Sequence, residues 1–340
     1  MDKKVLVIGA GIGGCVAARL TAEQGCKVKV IDMREHVAGN CYDYRDENGI
    51  MVHKFGPHLF HTNNEMVVDF LSNYTEWIPY EHKVKALWND QYLTLPVNKE
   101  TSEIVGKENV LDIFFRPYTK KMWGIELDDL NPSIINRVPI RDDMNEKYFP
   151  NDKFQALPKE GYTQMCKNML DHENIEVVLN TKYEKSMDKE YDHIFSTMPI
   201  DAFYDFKFGD LPYRSIKFHK SSEKGTKSPH VCVNYTDTGK HTRWTEWKNL
   251  PYPGNNDSGM TTITHEEPCD YKDNNNERYY PISDREGVNR GLFKKYEEHS
   301  KSTPNVTHLG RLGLYAYLDM HMAVNSSIII VDKWIQKNMS

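Results

Sequence analysis

The chain opens on a short β-branched run, Val5-Leu-Val-Ile8, and breaks into glycine over Gly9-Ala-Gly11-Ile-Gly13-Gly14. From Cys15 to Gln24 it resumes with Val16, Leu20 and small alanines at helical spacing. Lys27-Val-Lys-Val-Ile31 alternates as a second strand and ends at Asp32. The spacing predicts a β-α-β unit. Further on, residues 84–97 read as a hairpin turning at Asn89-Asp90, and residues 101–122 as mostly helical apart from Pro117. Ile175 to Leu179 and His193 to Ser196 are short apolar runs of the kind that form buried strands. Residues 211–264 alternate between proline and glycine breaks, which predicts antiparallel strands. Val306 to Leu309 is again strand-like, Gly310-Arg311 a turn, and Asp319 to Lys337 a helix with Met322, Ile329 and Ile330 among its apolar residues.

This order predicts an α/β protein. A Rossmann-like dinucleotide domain takes residues 1–78, 174–210 and 300–340, with a small helical lobe over 99–135. An antiparallel-sheet substrate domain takes 79–98, 136–173 and 211–299. A length of 340 residues suits several lobes. With 43 Lys+Arg against 49 Asp+Glu the net charge is -6, so there is no basic excess for nucleic acid, and any anionic ligand must be met by local arginines. No apolar run reaches eighteen residues, which argues against membrane insertion. Six cysteines without C-x-x-C spacing read as reduced thiols, as expected in the cytoplasm. The glycines after Val5–Ile8 suit a turn better than a secretion helix.

The glycine run is G-x-G-x-x-G at a strand-to-helix turn. Gly9 permits the turn, Gly11 lets a pyrophosphate approach the backbone, Gly14 lets helix pack on strand, and Asp32 accepts hydrogen bonds from a ribose. Spacing alone does not separate FAD from NAD. Arg34 and the loop Ala38-Gly39-Asn40 follow, where flavoproteins often carry a second phosphate-contacting glycine pair.

His53-Lys-Phe-Gly-Pro-His58-Leu-Phe-His61-Thr resembles the histidine-glycine loop of the UDP-galactopyranose mutase family. Similar stretches follow in family order at Leu95-Pro96, Tyr118 to Gly124, Arg137 to Arg141, Tyr148-Phe149, Gly161-Tyr-Thr, Tyr213-Arg214-Ser, Tyr279-Tyr280-Pro and Gly310 to His321. The resemblance implies an FAD enzyme, active when reduced, that interconverts UDP-galactopyranose and UDP-galactofuranose. In the family, flavin N5 attacks galactose C1, UDP leaves, and the sugar closes again through O4. The chain departs from the bacterial pattern in a much shorter stretch between Pro96 and Tyr118, in Pro57 before the loop histidine, and in Ala38 for the usual glycine. Because the family's helical lobe carries dimer contacts, the shortening implies a monomer or an atypical homo-oligomer.

Carried over residue by residue, the resemblance makes Arg137 and Arg243 the diphosphate clamp, to which a guanidinium fork is suited. Tyr148, Tyr280 and Tyr317 match phosphate-binding tyrosines, and Tyr118 and Trp123 match residues around uridine. His58, Gly310, Arg311, Asp319 and Met320 fall beside the flavin, with Asp319 also near the substrate. Asp319 could in addition cap the last helix. By residue type alone, His58 reads as an acid or base, a ligand or an ordinary loop histidine, and tyrosines read as core. The choice between Tyr279 and Tyr280 rests on register. The alternatives to a mutase are an FAD oxidase of the amine-oxidase group, which needs no diphosphate arginines, and a non-catalytic flavin- or nucleotide-binding remnant.

Overall fold

In the computed structural model, which describes residues 3–129 and 140–339, the apolar run near the N-terminus becomes β1 (Lys4–Ile8), the middle of a parallel sheet. It pairs with β2 (Lys27–Ile31) on one side and β11 (His193–Ser196) on the other. β10 (Ile175–Val178) and β17 (Val306–His308) lie at the edges. Both faces of the centre are covered, so β11 is buried throughout and β1 from Val5 to Ile8. β10 differs from the expected buried strand: as an edge strand it leaves Glu176 and Val177 exposed.

α1 (Ile12–Glu23) packs against the C-terminal helix, which joins residues at opposite ends of the chain into one lobe. The buried stripe of that helix is Ala323, Val324, Ser327, Ile328, Val331 and Trp334, whereas Met322 and Ile329 point outward. β9 (Phe154–Pro158) pairs with β5 (Phe60–Thr62) and β6 (Trp77–Pro79). The helix that follows, Tyr162–Leu170, lies on α1. Residues 154–170 thus pack with the dinucleotide lobe, where the sequence reading set them in the sheet lobe. The reason is a non-local contact: both oxygens of buried Asp43 accept the first amides of this helix, from Tyr162 at 2.7 Å and Thr163 at 2.8 Å. Asp43 belongs to β3 (Asp43–Arg45), which pairs with β4 (Met51–His53).

The second lobe is a seven-stranded sheet built on β12 (Tyr213–Lys224) and β15 (Met260–Asp270), in register from Arg214 opposite Asp270 to Lys224 opposite Met260. β14 (Arg243–Glu246), β13 (Cys232–Tyr235), β7 (Val84–Trp88) and β8 (Gln91–Leu95) continue it, and β16 (Tyr280–Pro281) lies on the far edge. The sheet is antiparallel except where β13 runs parallel to β7. The β7–β8 hairpin turns at Asn89 and Asp90, both left-handed at φ 46° and 59°. The helical lobe among the described residues is short: a helix over Lys99–Val105, a wide turn over Leu111–Phe115, and a helix over Arg116–Trp123 with Pro117 in its first turn, where no amide is needed. Among the described residues no helix is long and apolar enough to cross a membrane.

Candidate active site

A cavity of about 700 Å³ runs across the carboxyl ends of the parallel strands. Gly9, Gly11 and Gly13 line it where β1 meets α1, with Asp32 and Arg34 beyond β2. Gly39 and Asn40 line its middle, and His58, Gly310, Arg311 and Met320 the other end. The glycines divide the work. A Cβ on Gly9, at φ +98°, would stand 2.0 Å from Thr197 Oγ1, and one on Gly14 would stand 1.9 Å from the Gly9 carbonyl oxygen. Gly14 therefore packs helix on strand and does not line the cavity. A Cβ on Gly11 meets only Gly39 Cα at 3.8 Å, so its bare face is open to a ligand.

Asp32 ends β2 with Oδ2 accepting from the Ala10 amide and Oδ1 from the Arg34 amide, at 2.8 and 2.9 Å. Arg34 donates to Asn40 Oδ1 at 2.9 Å and pairs with Glu277 at 2.5 Å. Sequence reading did not foresee the far wall, formed by Thr181, Tyr183, Pro199, Ala202 and Phe206. These residues follow β10 and β11, and only sheet order brings them to Asp32.

At the opposite end the histidine loop is held by hydrogen bonds. The His58 amide donates to His53 Nδ1 at 3.1 Å, so fully buried His53 carries its proton on Nε2, 3.1 Å from the Tyr252 hydroxyl. His58 Nδ1 lies 2.8 Å from the Gly56 carbonyl, to which it donates, leaving Nε2 bare. Burial pushes His58 down to about 4 and His82 to about 3, in both cases helped by the Arg243 charge, and holds His53 well below its ordinary value. Burial likewise brings His193 and His308 to about 4. The unfolded chain takes up these protons near pH 6.5, before the folded one can. Stability is therefore full above about pH 6.5 and falls as pH drops toward 4. Thermal melts from pH 7.5 to 4.5 should show a steadily lower Tm, and a flat profile would contradict this assignment.

Arg311 joins the cavity to a second group of side chains. Its Nη2 donates to the Leu318 carbonyl at 2.6 Å and its Nη1 to the Tyr279 carbonyl at 3.3 Å. The guanidinium lies over Tyr280 and Tyr317, at 5.0 and 5.4 Å from the ring centroids. Those rings stack at 5.4 Å, and Trp123 stands 6.4 and 6.5 Å from them. Tyr280 thus belongs to the group, while Tyr279 packs with Phe55 and Phe218. Burial raises the phenols of Tyr118, Tyr148 and Tyr280, the last to about 12, and the Arg243 charge pulls each back. All three are neutral hydrogen-bond donors at physiological pH.

Arg243 lies with Nε 2.9 Å from Oε2 of Glu266, which is 2% exposed. The pair lacks hydrogen-bond alignment, and among the described residues neither Arg243 Nε nor Glu266 Oε1 has a hydrogen-bond partner. Glu266 and His82 were not singled out from sequence. Glu266 lies two residues beyond the alternating stretch read over 211–264, and no local signal marks it. Asp319 takes the N-cap position of the last helix, as expected, but its side chain makes no capping bond there. Arg137 lies outside the described residues. Arg214 had no assigned role, and donates to the Met122 and Lys121 carbonyls at 2.7 and 3.1 Å, fixing the helix end that carries Trp123.

Two family models and several known proteins match the chain. Residues 113–317 match the family model for UDP-galactopyranose mutase, and residues 7–74 that for an NAD(P)-binding Rossmann-like domain. A protein of Klebsiella pneumoniae described as "Probable UDP-galactopyranose mutase" is 36% identical over 98% of this chain and 95% of its own. That alignment runs to 372 positions, more than the 340 residues here, so the relative carries inserted sequence. The dTDP-fucopyranose mutase of Escherichia coli is also 36% identical, over 98% of this chain and 99% of its own. A crystal structure of reduced UDP-galactopyranose mutase superposes with a TM-score of 0.78 at 17% identity, over 100% of this chain and 97% of that one. The chain belongs to the UDP-galactopyranose mutase family.

Proposed function

We propose that the protein binds FAD and, with the flavin reduced, interconverts UDP-galactopyranose and UDP-galactofuranose. The observation that carries this reading is Arg311, which lines the long cavity and also lies over Tyr280 and Tyr317, so a bound dinucleotide would end against the arginine-and-tyrosine group. The residues fit FAD. The bare Gly11 face and the close Gly39 approach suit a pyrophosphate, Asp32 suits a ribose, and Asn40, His58, Gly310, Arg311 and Met320 would surround the flavin. Reduced FAD, when bound, supplies N5 as nucleophile toward galactose C1 and is recovered reduced.

The chain's own part is placement. Arg243 and Arg137 hold the diphosphate, while Tyr148, Tyr280 and Tyr317 donate to its oxygens without adding charge. Tyr118 and Trp123 meet the base, and Asp319 lies near both ligands. Neutral His58, held through Nδ1 by the Gly56 carbonyl, lines the cavity and positions rather than protonates. The short helical lobe supports action as a monomer or an oligomer built on another face. Six cysteines outside any disulfide support a cytoplasmic setting.

The test is one preparation assayed twice. Cofactor released by denaturation should be FAD, and dithionite-reduced enzyme should convert UDP-galactofuranose to UDP-galactopyranose without consuming reductant. NAD alone, or peroxide formed in step with substrate loss, would overturn the proposal. Conversion of dTDP-fucopyranose with UDP-galactose inert would move the substrate, and not the reaction class.

A further inference from the structure

We infer that His219, His241 and Glu267 form a binding site for a transition-metal dication such as zinc on the outer face of the seven-stranded sheet. Their ligand atoms all lie within 4.8 Å of one another, and among the described residues no other group of three histidine, cysteine or acidic residues does so. Three chain segments converge. On β12 and β15 His219 is opposite His265 and Lys217 opposite Glu267, so Glu267 is the diagonal same-face neighbour of His219. His241 comes from the turn before β14, which is held to β15 by the Thr242 amide donating to the Glu266 carbonyl at 2.9 Å, and to the helical lobe by Lys121 donating to the His241 carbonyl at 2.9 Å.

The donor set selects the metal. Two imidazoles and one carboxylate suit zinc, nickel or copper, whereas calcium and magnesium prefer oxygen. Bond lengths near 2.0 Å require the ligands to close by roughly an ångström, within reach of side-chain rotation on an exposed face. Glu267 Oε2 is shared at present by His219 Nε2 and Lys240 Nζ, each at 2.8 Å, and the Lys240 side chain is 62% exposed. A dication would replace the imidazole proton and displace the lysine. The bound ion would clamp the turn that leads, two residues on, into Arg243.

The test is a titration of EDTA-stripped full-length protein with zinc chloride by calorimetry, which reads binding whatever the reaction proves to be. One zinc per chain is expected. His219→Ala, His241→Ala and Glu267→Gln should each weaken it about tenfold or more, with melting profiles confirming folded variants. His172→Ala, remote from the cluster, should leave it unchanged. Lys240→Ala removes the competing cation and should tighten it. Absence of a stoichiometric site, equal affinity in the three ligand variants, or no tightening in Lys240→Ala would overturn the inference.

Discussion

Gly14→Ala should cost the protein its cofactor lobe. The new methyl would stand 1.9 Å from the Gly9 carbonyl oxygen, 3.1 Å from the Gly9 carbonyl carbon and 3.3 Å from Val7 Cγ1. None of these can withdraw, because β1 is paired on both sides and its apolar residues are fully or almost fully buried. Overpacking of this kind costs about 1–3 kcal/mol where the core can shift and more where backbone is in the way. We expect a Tm lowered by many degrees and little bound flavin. Gly11→Ala supplies the contrast, since its methyl meets nothing closer than 3.8 Å. It should fold normally and yet bind flavin more weakly, because the methyl occupies the ligand's approach. Equal melting and equal flavin content in Gly14→Ala and wild type would refute the packing role.

Arg243→Ala should weaken UDP binding or turnover by about tenfold to a hundredfold, the value of one charge-assisted phosphate contact at roughly 1.5–3 kcal/mol. It should also destabilise the fold, because Glu266 is left buried without its counter-charge. The two effects separate in the double variant Arg243→Ala with Glu266→Gln. Removing the second charge should restore much of the stability while UDP affinity stays low. Arg243→Lys should keep some charge balance and recover only part of the affinity, since an ammonium cannot fork onto two oxygens. Isothermal titration with UDP and thermal melts check all three, and normal UDP affinity in Arg243→Ala would remove Arg243 from the site.

What could be read along the chain was what depends on near neighbours. The glycine turn, its flanking strands and Asp32 lie within one short stretch, and the β7–β8 hairpin turns where Asn89-Asp90 invites positive φ. Features set by distant pairing were not legible. β10 reads as a buried strand by composition but faces solvent at a sheet edge, and nothing local marks β13 as parallel to β7. Tyr279 and Tyr280 are chemically equal neighbours, and only the fold separates them, one packed on Phe55 and the other stacked on Tyr317. Glu266 escaped because its importance comes from burial beside Arg243. The resemblance singled out Arg243, but not the acid beside it.

The parallel sheet also constrains how the chain can be made. Its strand order places β17, ending at His308, beside β11, while α1 rests on the helix over Met320–Asn338. During synthesis the β-α-β segment emerges well before residues 306–338, so its apolar faces at first lack the partners that those residues supply. Closure must wait until residues 306–338 have followed, a high-contact-order arrangement that makes for slow folding. The nascent β-α-β segment therefore waits longest for its cover. Deleting the helix over Met320–Asn338 would strip α1 of its cover and leave the unfinished lobe open to aggregation.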